Sequence, residues 1–143
     1  LDAGDTAGLG FKIASAFRSY AYQQHVHGAL VSAEGSAVAD RVSARPGYSE
    51  HQTGLAVDLI TPAHPGCDFT ACFAGTPAGR WLATNAWRYG FVIRYLPGNQ
   101  AVTGYQPEPW HLRYVGRALA AAMQAAGITT LEQAFHIRGG DYR

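Results

Sequence analysis

The stretch TGLAVDLI, residues 53–60, constrains this chain more than any other. Leu55, Val57 and Leu59 alternate with Ala56 and Asp58, the period-two pattern of a half-buried strand. The three aliphatic residues are expected to anchor the strand in the core, and alternation sends Asp58 to the opposite face. A carboxylate among apolar and small residues is costly to bury without a partner. The fold must therefore bring a cation to that face, either an arginine or a metal ion. Gly54 and Ala56 leave room for one, and His51 stands just upstream, after the turn signal PGYSE.

A second segment, EPWHLRY at 108–114, supplies matching chemistry. Glu108 and His111 are three residues apart and would face opposite ways on a straight strand. Pro109 between them cannot donate to a strand ladder and favours a break there, which allows both side chains to turn to one site. His51, Asp58 and His111 then form a three-ligand N/O set, the pattern of a catalytic zinc that keeps its fourth position for water. Glu108, one step outside that set, is placed to act as general base and then as acid to a leaving amine. The helical H-E-x-x-H signature of common zinc peptidases is absent, so the ligands come from strands and turns. Arg18, in SAFRSYAYQQ, lies where a strand candidate gives way to a helix, an end that favours anions over cations. A bound carboxylate would explain an arginine there; a packing or surface arginine is the plainer alternative. For Asp58 the plainer alternative is an ion pair with an arginine.

Strand signals fall at FKIAS, TGLAVDLI, FVIRY and YQPEPWHLRYV. Helices are expected over 19–33, over SAVADRVSA, from Thr76-Pro77 through AGRWLATNAWRY to the stop at Gly90, over GRALAAAMQAA to Gly127, and briefly at TTLEQAF. Residues 1–10 read as irregular or as the end of a truncated helix, 61–76 as a loop, and PGNQAVTG as a turn region. The order lacks a βαβ rhythm, which argues for an α+β fold with a small, mainly antiparallel sheet flanked by helices, as a single domain over 1–143.

Charge is nearly balanced, 11 Lys+Arg against 10 Asp+Glu, with no basic run, so no nucleic-acid footprint is present. No apolar run approaches the ~20 residues needed to cross a bilayer. Leu1 is not a start methionine, as a removed leader or a trimmed boundary would leave it. Cys67 and Cys72 are spaced C-x4-C. A local disulfide would stiffen this loop modestly and imply an oxidising compartment. A metal pair lacks a second pair at zinc-finger spacing, and two reduced thiols are the remaining alternative.

The segments FRSYAYQ, PGYSEHQTGLAVDL, RWLATNAWRYGFVIRY and VTGYQPEPWHLRYVG together resemble the VanY-type zinc D,D-carboxypeptidases of bacterial cell-wall metabolism. The likeness spans residues 13 to 135, and its S-x-H-x-x-G-x-A-x-D and E-x-W-H blocks form a specific pair. It implies a fold shared with the VanX dipeptidases and the hedgehog signalling domain. It also implies one Zn2+ held by His51, Asp58 and His111, Glu108 as base, and Arg18 as a substrate and charge-stabilising contact. Gln23 and Ser49 match positions that bind the substrate's terminal D-alanine. The expected reaction is removal of the terminal D-alanine of peptidoglycan stem peptides by a monomer in the periplasm or at the cell wall. Rival activities of the same fold are L,D-carboxypeptidase, dipeptidase and endopeptidase. A rival of another class is a non-catalytic wall-binding module, which has no need of the retained Glu108. Phe17 stands where the family commonly has tyrosine, and Leu96, Asn99 and Gln100 also depart from its pattern. These positions lie outside the ligand set and bear on substrate preference.

Overall fold

The structure, a computed structural model, describes residues 1–139. Helix α1 covers Asp2–Thr6, strand β1 Lys12–Ser15, and helices α2 and α3 cover Tyr20–Glu34 and Ser36–Val42. Strand β2 covers Ala56–Ile60, helix α4 Pro77–Asn85, strand β3 Phe91–Tyr95, the short helix α5 Gln100–Thr103 and strand β4 Glu108–Tyr114. Helices α6, Arg117–Ala126, and α7, Leu131–Phe135, complete the described chain. The four strands form one sheet in the order β1-β2-β4-β3, with every neighbouring pair antiparallel. The α+β expectation therefore holds. No helix among the described residues is long and apolar enough to cross a membrane.

The helix boundaries follow the capping chemistry. Ser19 accepts a hydrogen bond from the Tyr22 amide at the start of α2, and Thr76 accepts one from Gly79 ahead of Pro77 in α4. A single 3-10 turn, Ala86–Tyr89, extends α4 until Gly90 stops it at φ 85°. Residues 61–76 run through two 3-10 turns, and Cys67 and Cys72 are joined by a 2.00 Å S–S bond between them. Of the two readings of residues 1–10 the helical one holds at residues 2–6, with Gly4 leaving the space that the Phe11 ring fills, and PGNQAVTG is more ordered than expected because it contains α5.

The sheet has two chemically different faces. On one, Leu59 and Leu112 of the central strands pack with Phe11, Phe73, Ala78, Leu82 and Ala86, and Val57, Trp81, Phe91 and Ile93 close around them. Gly79 is needed in the first turn of α4, because a Cβ there would collide with the Phe73 carbonyl. Leu55 corrects the sequence reading. It is 42% exposed rather than a core anchor, because β2 begins only at Ala56 after the left-handed turn at Gly54. The opposite face carries Asp58 and His111. Phe73 has no exposed surface, so Phe73→Ala is expected to cost ~3–5 kcal/mol in chemical denaturation. A loss under ~1 kcal/mol would mean that the core closes differently.

Candidate metal centre and cleft

Antiparallel register performs the first step of assembly. Asp58 on β2 pairs directly with His111 on β4, and directly opposed residues share a face. Both are buried, and His111 Nδ1 lies 3.0 Å from Asp58 Oδ1. His51 arrives from outside the sheet, on the 3-10 turn Glu50–Thr53 that Gly54 ends just before β2. Its Nδ1 lies 2.6 Å from the Ala16 carbonyl, a pure acceptor, so Nδ1 carries the proton and Nε2 the lone pair.

That lone pair is the informative atom. His51 Nε2 is buried and has no hydrogen-bond partner, although Asp58 Oδ2 is only 3.2 Å away. A lone pair and a carboxylate turned toward the same space, with no proton between them, is an arrangement that a cation resolves. One ligand atom from each of His51, Asp58 and His111 falls within 4.8 Å of the others. Two imidazole nitrogens and a carboxylate oxygen at this spacing fit a zinc ion.

Glu108 reaches the same face through a sheet irregularity. Ile93 pairs with Leu112 and Tyr95 with Glu108, so β4 carries extra residues between these pairs, around Pro109. The break expected from Pro109 is thus present, and Glu108 Oε2 comes within 3.7 Å of His111 Nδ1. Burial pushes the Glu108 carboxyl up to about 7; His111 and Arg18 oppose the rise, while Asp58 and Glu50 add to it. Asp58 behaves differently. Burial would raise it as well, but the His111 imidazole holds it well below the usual carboxylate range.

Arg18 lies one residue before the cap of α2. Its guanidinium donates to Ser15 Oγ at 3.0 Å, Gln23 Oε1 at 3.1 Å and Asp58 Oδ2 at 3.1 Å. The aspartate–arginine pair and the candidate metal set therefore coexist on one carboxylate. Ser49 is buried and lines the same cleft of about 490 Å³, together with Arg18, Tyr22, Glu108, Phe69 and Trp110. Gln23 has no exposed surface, and its amide nitrogen donates to Ser43 Oγ and the Ala44 carbonyl. Its Oε1 accepts from the Arg18 guanidinium at 3.1 Å.

Three residues at the site escaped the sequence reading. Glu50 Oε2 is 3.2 Å from His111 Nε2, and Glu50 Oε1 accepts from Arg94 Nε at 2.9 Å. Arg94 in turn is gripped by both carboxylate oxygens of Glu132. Burial would raise Glu50, but His111 and Arg94 bring its carboxyl down to about 2. His111, which burial would lower, is carried up to about 9 by Asp58 and Glu50. Arg94 gave the same signal as Asp58, a charge inside an apolar strand; Glu50 and Glu132 gave none.

Known proteins resemble this chain in sequence and fold. The model of the VanY D-alanyl-D-alanine carboxypeptidase family matches residues 1–117. A D-alanyl-D-alanine carboxypeptidase of Enterococcus faecalis is 37% identical over 136 residues, 89% of this chain and 48% of that one. The L,D-carboxypeptidase DacB of Streptococcus pneumoniae superposes with a TM-score of 0.84 at 44% identity, covering 99% of this chain and 73% of that one. A variant of the D,D-pentapeptidase VanY from a VanB-type resistance cassette, in complex with Zn(II), superposes with a TM-score of 0.79 at 35% identity, over 94% and 76% of the two chains. The chain spans about half the length of three of the curated relatives it matches and 23% of a fourth, a D-alanyl-D-alanine carboxypeptidase of Enterococcus faecium.

The ligand set makes a direct prediction. After chelation and reloading with zinc, elemental analysis is expected to find metal in the wild type and to find it lost after dialysis from His51→Ala and Asp58→Asn. Full retention by Asp58→Asn would exclude the carboxylate as a ligand.

Proposed function

The chain belongs to the VanY D-alanyl-D-alanine carboxypeptidase family, and on that premise we propose that it is a zinc-dependent D,D-carboxypeptidase acting as one catalytic domain on peptidoglycan stem peptides. The observation that carries this reading is the orphaned lone pair of His51 beside Asp58 and His111, with a buried carboxyl of raised pKa 3.7 Å from His111. His51, Asp58 and His111 would hold the zinc. When bound, it supplies Lewis-acid charge and makes water a nucleophile near neutral pH.

The remaining work falls to the protein's own side chains. Glu108 takes the proton of the attacking water on its carboxylate and returns it to the departing amine of D-alanine. Glu108 would be favoured in its ionised, proton-accepting form by a cation held on the three neighbouring ligands. Arg18 uses three of its N–H groups on Ser15, Gln23 and Asp58. A guanidinium has five, so two remain for the substrate's terminal carboxylate. Gln23 fixes the plane of Arg18 from behind, and Ser49 adds a small polar wall. A non-catalytic wall-binding role would leave the placement of Glu108 without purpose.

A second reading, L,D-carboxypeptidase, draws support from the higher identity to DacB than to the zinc-bound VanY, 44% against 35%. The two share the residue roles above and differ in the configuration of the residue before the scissile bond. The disulfide between Cys67 and Cys72 suits a location outside the cytoplasm, where such substrates lie.

Mass spectrometry of muropeptides after incubation separates these readings. Loss of one D-alanine from pentapeptide stems is expected, whereas trimming of tetrapeptides alone would replace the D,D reading with the L,D one. Unchanged stems with zinc bound would support a binding module. Glu108→Gln should lower turnover by about 10²–10⁴-fold with zinc retained, and near-normal turnover would remove Glu108 as the base. Arg18→Lys loses the planar fork and is expected to raise KM more than it lowers kcat; an unchanged KM would place the substrate carboxylate elsewhere.

A further inference from the structure

We infer that Glu132, on the C-terminal helix α7, is a positioning residue for the metal centre, acting through Arg94 and Glu50 on His111. The inference rests on the metal site proposed above. Glu132 lies beyond residues 1–117, the span matched by the family model.

The links are continuous and mostly buried. Glu132 accepts from Arg94 Nη2 at 2.5 Å and from Nη1 at 3.1 Å. Arg94 Nε donates to Glu50 Oε1 at 2.9 Å, and Glu50 Oε2 stands 3.2 Å from His111 Nε2. On the other side of the same ring, Nδ1 faces Asp58. Glu132 and Arg94 are 7% and 9% exposed, so bulk water screens these charges little. The Tyr95 ring lies against His111, 5.2 Å between centroids, and the Arg94 guanidinium sits 5.0 Å from the centre of the same tyrosine ring.

Charge balance explains why the distal glutamate matters. A ligating imidazole that donates its other N–H to a carboxylate is fixed in tautomer and is a stronger donor to the metal. Glu50 is the carboxylate in that position, but it also faces two cations, Arg94 and Arg113, the latter 3.2 Å away. Left alone with Glu50, Arg94 would draw the carboxylate's electron density and position toward itself. Glu132 neutralises Arg94 through a two-pronged contact and leaves Glu50 free to hold His111. Helix α7 is itself pinned, by the Thr130 cap on Gln133 and by Asn99 donating to Thr129. The C-terminal helix therefore tunes a site to which it contributes no ligand.

Zinc affinity measured by competition with a chromophoric chelator, with no substrate present, tests this directly. Glu50→Gln is expected to weaken zinc binding by about 10–100-fold and Glu132→Gln by about tenfold, with a changed visible absorption of the cobalt-substituted protein in both. The double variant should bind zinc no more weakly than Glu50→Gln, because both changes break one chain. Thr130→Ala, which loosens α7 but keeps the glutamate, should lower Tm and leave affinity unchanged. Unaltered affinity in Glu132→Gln, additive losses in the double variant, or an equal loss in Thr130→Ala would each overturn the inference. If Glu132→Gln fails to fold, Glu132→Asp carries the comparison, and wild-type affinity in that variant together with an unchanged cobalt spectrum would count against it. A wild-type protein that binds no zinc would overturn the metal reading and this inference together; binding with no change in the variants overturns only the latter.

Discussion

A carboxylate sits near the centre of the sheet, and much of the functional face is arranged around it. Asp58 is 3% exposed, and a buried carboxylate is tolerable only when cationic or donor groups surround it. Here Arg18, His51 and His111 all converge on it. Each comes from a different element: the β1–α2 junction, a 3-10 turn and β4. Removing Arg18 or His111 would leave uncompensated charge in the interior, which ties the geometry of the candidate site to the stability of the fold.

The strands that carry the site also carry the core. β2 turns Leu59 into the apolar cluster and Asp58 to the other side; β4 does the same with Leu112 and His111. Packing of Phe73, Leu82 and Leu112 fixes the sheet register, and the register places Asp58 opposite His111. A one-residue slip would exchange the two faces. Asp58 and His111 of the candidate metal centre are therefore set by strands on an apolar base, while His51 and much of the rest of the cleft come from helices, turns and loops.

Charge on the functional face extends beyond the ligands. Glu50, Arg94, Arg113 and Glu132 form a balanced set in which every member is paired. Glu108 differs from them: it lies beside the ligand set, and burial raises its pKa instead of an ion pair lowering it. Within one face, ion pairing and burial thus move carboxyl groups in opposite directions.

Much of this was legible in the chain. Alternation around Asp58, the proline between Glu108 and His111, and the caps at Ser19 and Thr76 are local signals, and each acts within a few residues through sterics or a single hydrogen bond. Together they determined the strands, the main helices and the candidate ligand set. Leu55 was misplaced because periodicity marks a strand without marking its first residue. The sequence drew Gln23 and Arg18 to one site, but the burial of Gln23 and its hydrogen bond to Arg18 are set by the packing around them. Which charge pairs with which was left to the tertiary structure: Arg94 meets Glu132 across 38 residues and Glu50 across 44. Such choices depend on register, depth and competing partners in space. Sequence spacing carries no record of them, because Coulomb attraction is non-specific until the packed sheet fixes who is near.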